Sequence, residues 1–155
     1  MDRLGLENDL LVELLHYWSK QALPGCLPGR KDIDPLDIPH LLPFCELIDV
    51  EKEPLDFIYR LLGTKIDHIT REKYTGMRVS DIPTQRAPSL IFDLYSQVAK
   101  SGKPVRAVLP YVGEKLKTKE VECLVLPLAA NGQDVDMLLG GIALSNMEVR
   151  LLAGL

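Results

Sequence analysis

Five prolines between positions 24 and 43 decide how this chain divides: Pro24, Pro28, Pro35, Pro39 and Pro43. Each removes a backbone donor, fixes its own φ and restricts the residue before it, so no long helix or central strand crosses the stretch. Regular structure must lie on either side. Ahead of it, "LGLENDLLVELLHYWSKQAL" places Leu11, Leu15, Trp18 and Ala22 at i, i+4, i+7 and i+11, with Leu10, Leu14 and Tyr17 on the flank. That is the spacing of an amphipathic helix, stopped by Pro24-Gly25. A stripe this wide either covers the chain's own core or also meets a second chain. The connector carries Ile33, Leu36, Ile38, Leu41 and Leu42, residues suited to burial, so it reads as structured. Asp34-Pro35 suits the N-cap and first position of a short helical turn.

After the prolines the pattern changes to alternation. "FCELIDV" (Phe44–Val50) and "DFIYRLL" (Asp56–Leu62) are strand candidates joined by the polar "EKEPL". In the second, Phe57, Tyr59 and Leu61 share one face, and Ile58, Arg60 and Leu62 the other. Gly63 breaks the run, and a positive φ is expected there for a sharp turn, with Thr64 capping the short helix that follows. "KYTGMRVSDI" turns at Gly76. "RAPSLIFDLYSQVAKSGKP" repeats Leu90, Leu94 and Val98 every fourth residue, a helix ended by Gly102 and Pro104. "VRAVLPYVG", "KEVECLVLPLAA" and "VDMLLGGIAL" complete the chain as strands, the last two joined by the hairpin turn "NGQD". Five strands with the main helices on one side make an antiparallel α+β design.

The bulk properties exclude several classes of function. A chain of 155 residues is one domain in size and buries roughly 70% of its unfolded surface without staples. A net charge of −4, with no basic stripe, disfavours nucleic acid as a partner. Cys26, Cys45 and Cys123 are odd in number and far apart, with no CxxC pair or Cys/His knuckle, so neither a disulfide framework nor a metal site is expected. Reduced thiols, the lack of an apolar run of membrane-spanning length and the lack of a cleavable leader point to a cytoplasmic protein, with no membrane partner.

The fragments "LPGRKDIDPLDIPHLLPFCELIDV", "FIYRLLGTKI", "YTGMRVSDI" and "LVLPLAANGQDVDMLLGGI", in that order, resemble a family of stand-alone bacterial PAS domains, mostly alphaproteobacterial and largely uncharacterised. The resemblance covers nearly the whole chain from the first helix onward. It implies a PAS-like five-stranded antiparallel sheet with helices on one face and an N-terminal helix. On that reading residues 1–43 form the N-terminal helix and connector, and residues 44–155 the PAS core. Arg60, Gly63 and Thr64 match the motif closing the second strand, Gly76 the turn before the long helix, and Pro127 with Leu128 the fourth strand.

The resemblance further implies a cytoplasmic sensor or regulatory domain. It would bind a small molecule between sheet and helices and signal through an unidentified protein partner. The alternative is a ligand-free dimerisation or adaptor module with a filled core. A homodimer through the N-terminal helix (Leu11, Leu15, Trp18) fits either. No cofactor comes with the resemblance: covalent flavin photochemistry in PAS relatives needs a cysteine in an Asn-Cys-Arg-Phe-Leu motif, absent here, and residues 86–100 hold no histidine for haem. The residues expected at a ligand site are Tyr59, Arg60, Thr64, Ile66, Ile69, Tyr74, Met77, Phe92 and Tyr95, with Tyr59 and Tyr74 as polar tips. Arg60 instead pairs with Asp32, Asp34 or Glu46 if it serves structure. His68 is a candidate proton switch or an exposed side chain. No nucleophile elbow, phosphate loop or metal-protease motif occurs, and no carboxylate has an evident orienting partner, so no enzyme is expected.

Overall fold

The computed structural model describes residues 3–70, 72–110 and 120–143. Helix α1 (Asp9–Lys20) starts at Asn8, whose side chain accepts from the Leu10 N–H, and Asp9 adds an acid to its first turn. The connector forms short 3₁₀ turns, one capped by Asp34 with Pro35 in its first positions. Strand β1 (Cys45–Glu51) and strand β2 (Asp56–Leu62) follow as an antiparallel pair. Helix α2 (Thr64–Ile69) and helix α3 (Leu90–Ser101) then cross to strands β3 (Val105–Pro110), β4 (Glu120–Leu128) and β5 (Met137–Ala143). Helix α3 is closed by Ser89 at one end, accepting from the Phe92 N–H, and by left-handed Gly102 at the other. The sheet is antiparallel throughout in the order β2-β1-β5-β4-β3. The expected ends of three strand runs, at Tyr111–Gly113, Lys119 and Leu144, lie outside the described residues.

Both faces of the sheet are covered. Helices α2 and α3 pack on the inner face over Ile48, Phe57, Tyr59, Val125 and Leu138. Helix α1 lies on the outer face, where Leu11, Leu14 and Leu15 meet Leu47, Leu124, Leu126 and Leu139. Leu11 is 1% exposed and Leu15 3% exposed. Trp18 is half-buried and its indole N–H donates to the Pro127 carbonyl at 2.9 Å. Leu11 and Leu15, expected with Trp18 at a homodimer interface, are buried against the chain's own sheet. The width of the apolar stripe is explained by the two layers it joins, the sheet and the connector's Ile33, Ile38 and Leu41. Glu122 of β4 pins the helix start by accepting from the Glu7 and Asn8 N–H groups at 3.0 and 2.9 Å while pairing with Arg106 at 2.8 Å.

Three local expectations change. In the β1–β2 pairing Leu47 faces Leu61 and Ile48 faces Tyr59, so Arg60 is the extra residue of a bulge. The bulge inverts the alternation after Tyr59: Leu61 is exposed and Leu62 buried. Gly63 has φ −63° and is itself the N-cap of α2, with Thr64 the first helical residue. Its glycine identity answers to space, since a Cβ there would lie 2.4 Å from both the Leu42 and Pro43 carbonyl oxygens. Arg60 pairs with Asp49, one strand over, at 2.9 Å, rather than with Asp32, Asp34 or Glu46.

Candidate functional site

Between α2, the segment leading into α3, and the inner face of β3, β4 and β5 lies a cavity of about 360 Å³. Its size falls in the range of small-molecule sites, roughly 300–1,000 Å³. Ile66 and Ile69 of α2 form one wall, Leu90 and Ile91 of α3 a second, and Leu109, Val121, Cys123 and Ile142 the sheet floor. Thr70, Tyr74, Thr84, Gln85 and Ser89 supply its polar atoms, and among the described residues no Asp, Glu, Lys, Arg or His lines it. Each element contributes through its pattern. The i, i+3 spacing of Ile66 and Ile69 turns both inward, and odd-numbered Val121 and Cys123 share the inner face of β4. Burial pushes the Cys123 thiol well above its ordinary pKa, with the Glu46 and Glu122 charges adding to the effect. It therefore meets the cavity as a protonated, weakly nucleophilic thiol.

Beneath the cavity the core contains a chain of polar side chains. Glu46 of β1 points inward and is 4% exposed. Directly opposite it in the β1–β5 register is Gly140, where a Cβ would come within 2.6 Å of the Glu46 Cγ and 2.7 Å of its Oε1. The carboxyl thus lies over bare backbone. The Tyr95 hydroxyl of α3 donates to Glu46 Oε1 at 2.7 Å. The Tyr59 and Tyr95 oxygens are 3.3 Å apart, and the Tyr59 hydroxyl donates to Gln85 Oε1 at 2.5 Å. Gln85 lines the cavity, so the chain runs from the buried carboxyl to the cavity wall. Burial raises the Glu46 pKa to about 7, although the Tyr95 hydrogen bond opposes the rise. Both tyrosine hydroxyls are held well above their usual pKa, first by burial and then by Glu46.

The residues expected from sequence separate into three sets. Ile66, Ile69 and Tyr74 line the cavity. Tyr59 and Tyr95 belong to the polar chain; Tyr59 also stacks on Tyr74 with ring centroids 6.2 Å apart. Phe92 packs edge-on against Phe57 at 5.3 Å, and Met77 packs against the same cluster, both among the core side chains. Arg60 and Thr64 are exposed and stand away from the cavity: the bulge turns Arg60 outward, and Thr64 begins α2 on its solvent side. His68 is exposed. Asp56, the buried acid at the start of β2, accepts from the Ser80 hydroxyl at 2.6 Å and serves the turn that packs on β2. Glu46 and Gln85, the two ends of the polar chain, were not among the residues expected from sequence. A charge inside the apolar run "FCELIDV" and a Gly-Gly pair inside the strand "MLLGGIA" were the available signals, since a strand-interior glycine marks a close approach.

A family model described as PAS domain matches residues 7–143. No curated protein sequence matches the chain. Among solved structures, a light-oxygen-voltage domain from work with a flavin analogue superposes with a TM-score of 0.52 at 12% identity, over 77% of this chain and 90% of that one. A fungal LOV domain photoreceptor gives 0.48 at 15% identity, covering 88% and 91%. The LOV protein of Rhodobacter sphaeroides gives 0.45 at 16% identity, covering 79% and 76%. At these identities the first of the three supports the fold, and none transfers a ligand. With the family match running from just ahead of α1 to the end of β5, this chain belongs to the PAS domain family.

Proposed function

We propose that this PAS domain is a cytoplasmic sensor that binds a small, neutral, mainly apolar molecule between its helices and its sheet and passes the signal to a protein partner. The observation that carries the reading is the uncharged cavity of about 360 Å³ walled by α2, α3 and the sheet. An apolar molecule entering it removes isoleucine, leucine and valine surface from water, and the threonine, serine and glutamine side chains fix its orientation. A charged ligand would lose its hydration with no counter-ion among the described lining residues. The PAS fold and the light-oxygen-voltage likeness support a signalling role rather than a catalytic one.

The second reading is a dimerisation or adaptor module. It is favoured by a groove of about 330 Å³ on the outer face, lined by Pro35, Pro39, Leu42, Pro43 and exposed Leu61, with exposed Leu36 on the same connector turn. One experiment separates the two. Native mass spectrometry of freshly purified protein is compared with its denatured mass, for the natural chain and for Ile69→Trp, which fills the cavity. The sensor reading expects a small-molecule adduct on the natural chain, lost in Ile69→Trp with the fold retained by circular dichroism. A clean dimer with no adduct, and no neutral aromatic probe taken up on titration, overturns it in favour of the adaptor.

A further inference from the structure

We propose that the chain Glu46–Tyr95–Tyr59–Gln85 is a proton-coupled selector: the protonation state of Glu46 sets whether Gln85 presents the cavity with an amide N–H donor or a carbonyl acceptor. The ligand class follows. With Glu46 protonated the cavity prefers a neutral, mainly apolar molecule bearing a carbonyl or ether oxygen. With Glu46 ionised it prefers one bearing a hydroxyl or ring N–H. The inference rests on the cavity being a binding site.

Counting protons along the chain leads to this selector. There are three links, of 2.7, 3.3 and 2.5 Å, and each needs one proton. The two tyrosine hydroxyls hold one proton each. The 2.5 Å link suits an O–H···O contact and is short for N–H···O, so it carries the Tyr59 proton onto the Gln85 carbonyl. When Glu46 is protonated, the acid proton fills the link to Tyr95 and frees the Tyr95 proton for the contact to Tyr59; the Tyr95-to-Glu46 donation described above is the arrangement of the ionised carboxylate. Every link is filled when Glu46 is protonated, and Gln85 has its NH₂ left for the cavity.

Loss of that proton to solvent reverses the direction of each link. An ionised Glu46 can only accept, so Tyr95 donates to it and Tyr59 donates to Tyr95. The Tyr59 oxygen then needs a donor. The Gln85 carboxamide supplies one by turning about its last bond, and its carbonyl now faces the cavity. One proton leaves, two hydroxyl hydrogens rotate and one amide flips. The positions of Glu46, Tyr95 and Tyr59 do not change, held by Gly140 beneath the carboxyl and by the buried rings.

The surroundings make the chain sensitive to this one proton. Among the described residues, the titratable groups facing Glu46 are Tyr95 from α3, Tyr59 from β2 and Cys123 from β4, with Tyr74 behind Tyr59, while its chain neighbour Cys45 packs on the opposite face of the sheet. Burial holds the Tyr95, Tyr59 and Cys123 protons in place, and β5 presents Gly140. No salt bridge among the described residues reaches Glu46. Burial is the largest influence on this carboxyl and brings its titration near neutrality.

The test uses the full chain and two neutral probes of similar size, acetophenone as an acceptor and indole as a donor. Each is titrated by ¹H–¹⁵N NMR on the acid and the alkaline side of neutrality. Acetophenone is expected to bind about fivefold to tenfold more tightly on the acid side, and indole to show the opposite trend, the worth of one hydrogen bond exchanged for one mismatch. In Glu46→Gln the new amide donates to Tyr95 as the acid does, so the acetophenone preference persists at both pH values. Without any probe, the Gln85 side-chain amide resonances are expected to titrate with the same midpoint as the Glu46 ¹³Cδ. If both probes bind with preferences untouched by pH and by Glu46→Gln, the selector is overturned and the cavity reading stands. If neither probe shifts the cavity residues, the cavity reading falls and the selector falls with it as a binding device. A Gln85 amide that ignores the Glu46 titration overturns the hydrogen-bond chain itself.

Discussion

Gly63 illustrates how one residue type can be required for a reason other than the usual one. Its φ of −63° is available to any amino acid, so conformational freedom is not what holds glycine there. Space is: the Leu42 and Pro43 carbonyl oxygens leave 2.4 Å for a Cβ, and both belong to the backbone of the 3₁₀ turn entering β1. The Gly63 N–H also donates to the Cys45 carbonyl at 2.8 Å, so the backbone cannot retreat without breaking a ladder bond. Gly63→Val is expected to lower stability by about 3 kcal/mol or more, through overpacking against rigid backbone. Gly63→Ala should lose a large share of that, because the first carbon already clashes. Urea unfolding of both variants checks this; an alanine variant as stable as the natural chain would mean the turn does not approach β2 so closely.

Helix α1 behaves as part of the core. Its start is held by Glu122: burial raises that carboxyl's pKa, but the Glu7 and Asn8 N–H groups and Arg106 outweigh it and leave the group below its usual range. Its middle rests on β5 at Gly141, where a Cβ would come within 2.8 Å of both Leu11 Cδ2 and Leu14 Cδ2. The adjacent glycines of β5 therefore serve opposite faces, Gly140 admitting the Glu46 carboxyl and Gly141 admitting the helix. Replacing Leu11 and Leu15 with Glu places two carboxylates at positions 1% and 3% exposed. The expected result is loss of the folded sheet, with each truncation alone (Leu11→Ala, Leu15→Ala) costing about 2–5 kcal/mol. Circular dichroism with size-exclusion chromatography decides the matter. A folded monomer replacing a folded dimer would restore the helix to an interface between chains.

For the molecule as a whole, Glu46 couples stability to pH. Its folded pKa, near 7, lies above the ordinary carboxylate value of 4.5. Between those values the native chain holds a proton that the unfolded chain has released, so stability falls as pH rises. The contribution is fully present below about pH 4.5 and is lost as pH climbs through about 7. The loss amounts to roughly 3 kcal/mol, at about 1.4 kcal/mol per pH unit. Glu46→Gln removes this term. Urea titrations across the same window should show the natural chain weakening toward alkaline pH and the variant holding steadier. Equal slopes in the two proteins would place the Glu46 carboxyl in contact with water.

The order of elements was legible in the sequence because it depends on local signals. The connector prolines, the strand span Asp56–Leu62, the Gly102 end of α3 and the hairpin at "NGQD" are written in short-range spacing and turn chemistry. Ile66 and Ile69 reach the cavity wall for the same local reason, since their i, i+3 spacing on α2 turns both to one side. What stayed hidden depends on partners distant in the chain. The bulge at Arg60 exists in the pairing with β1, and it reversed which of Leu61 and Leu62 is buried. The face covered by α1 was settled by Gly141 and Leu124, more than a hundred residues away from it. Glu46 looked like an acid awaiting Arg60; its hydroxyl partner comes from Tyr95 and its space from Gly140. Sequence by itself determined the α+β architecture and the run of strands and helices, since backbone preference and periodicity are local. Only tertiary structure decided which face each residue serves and which buried groups hydrogen-bond to one another, since those follow from distances between segments that the chain brings together on folding.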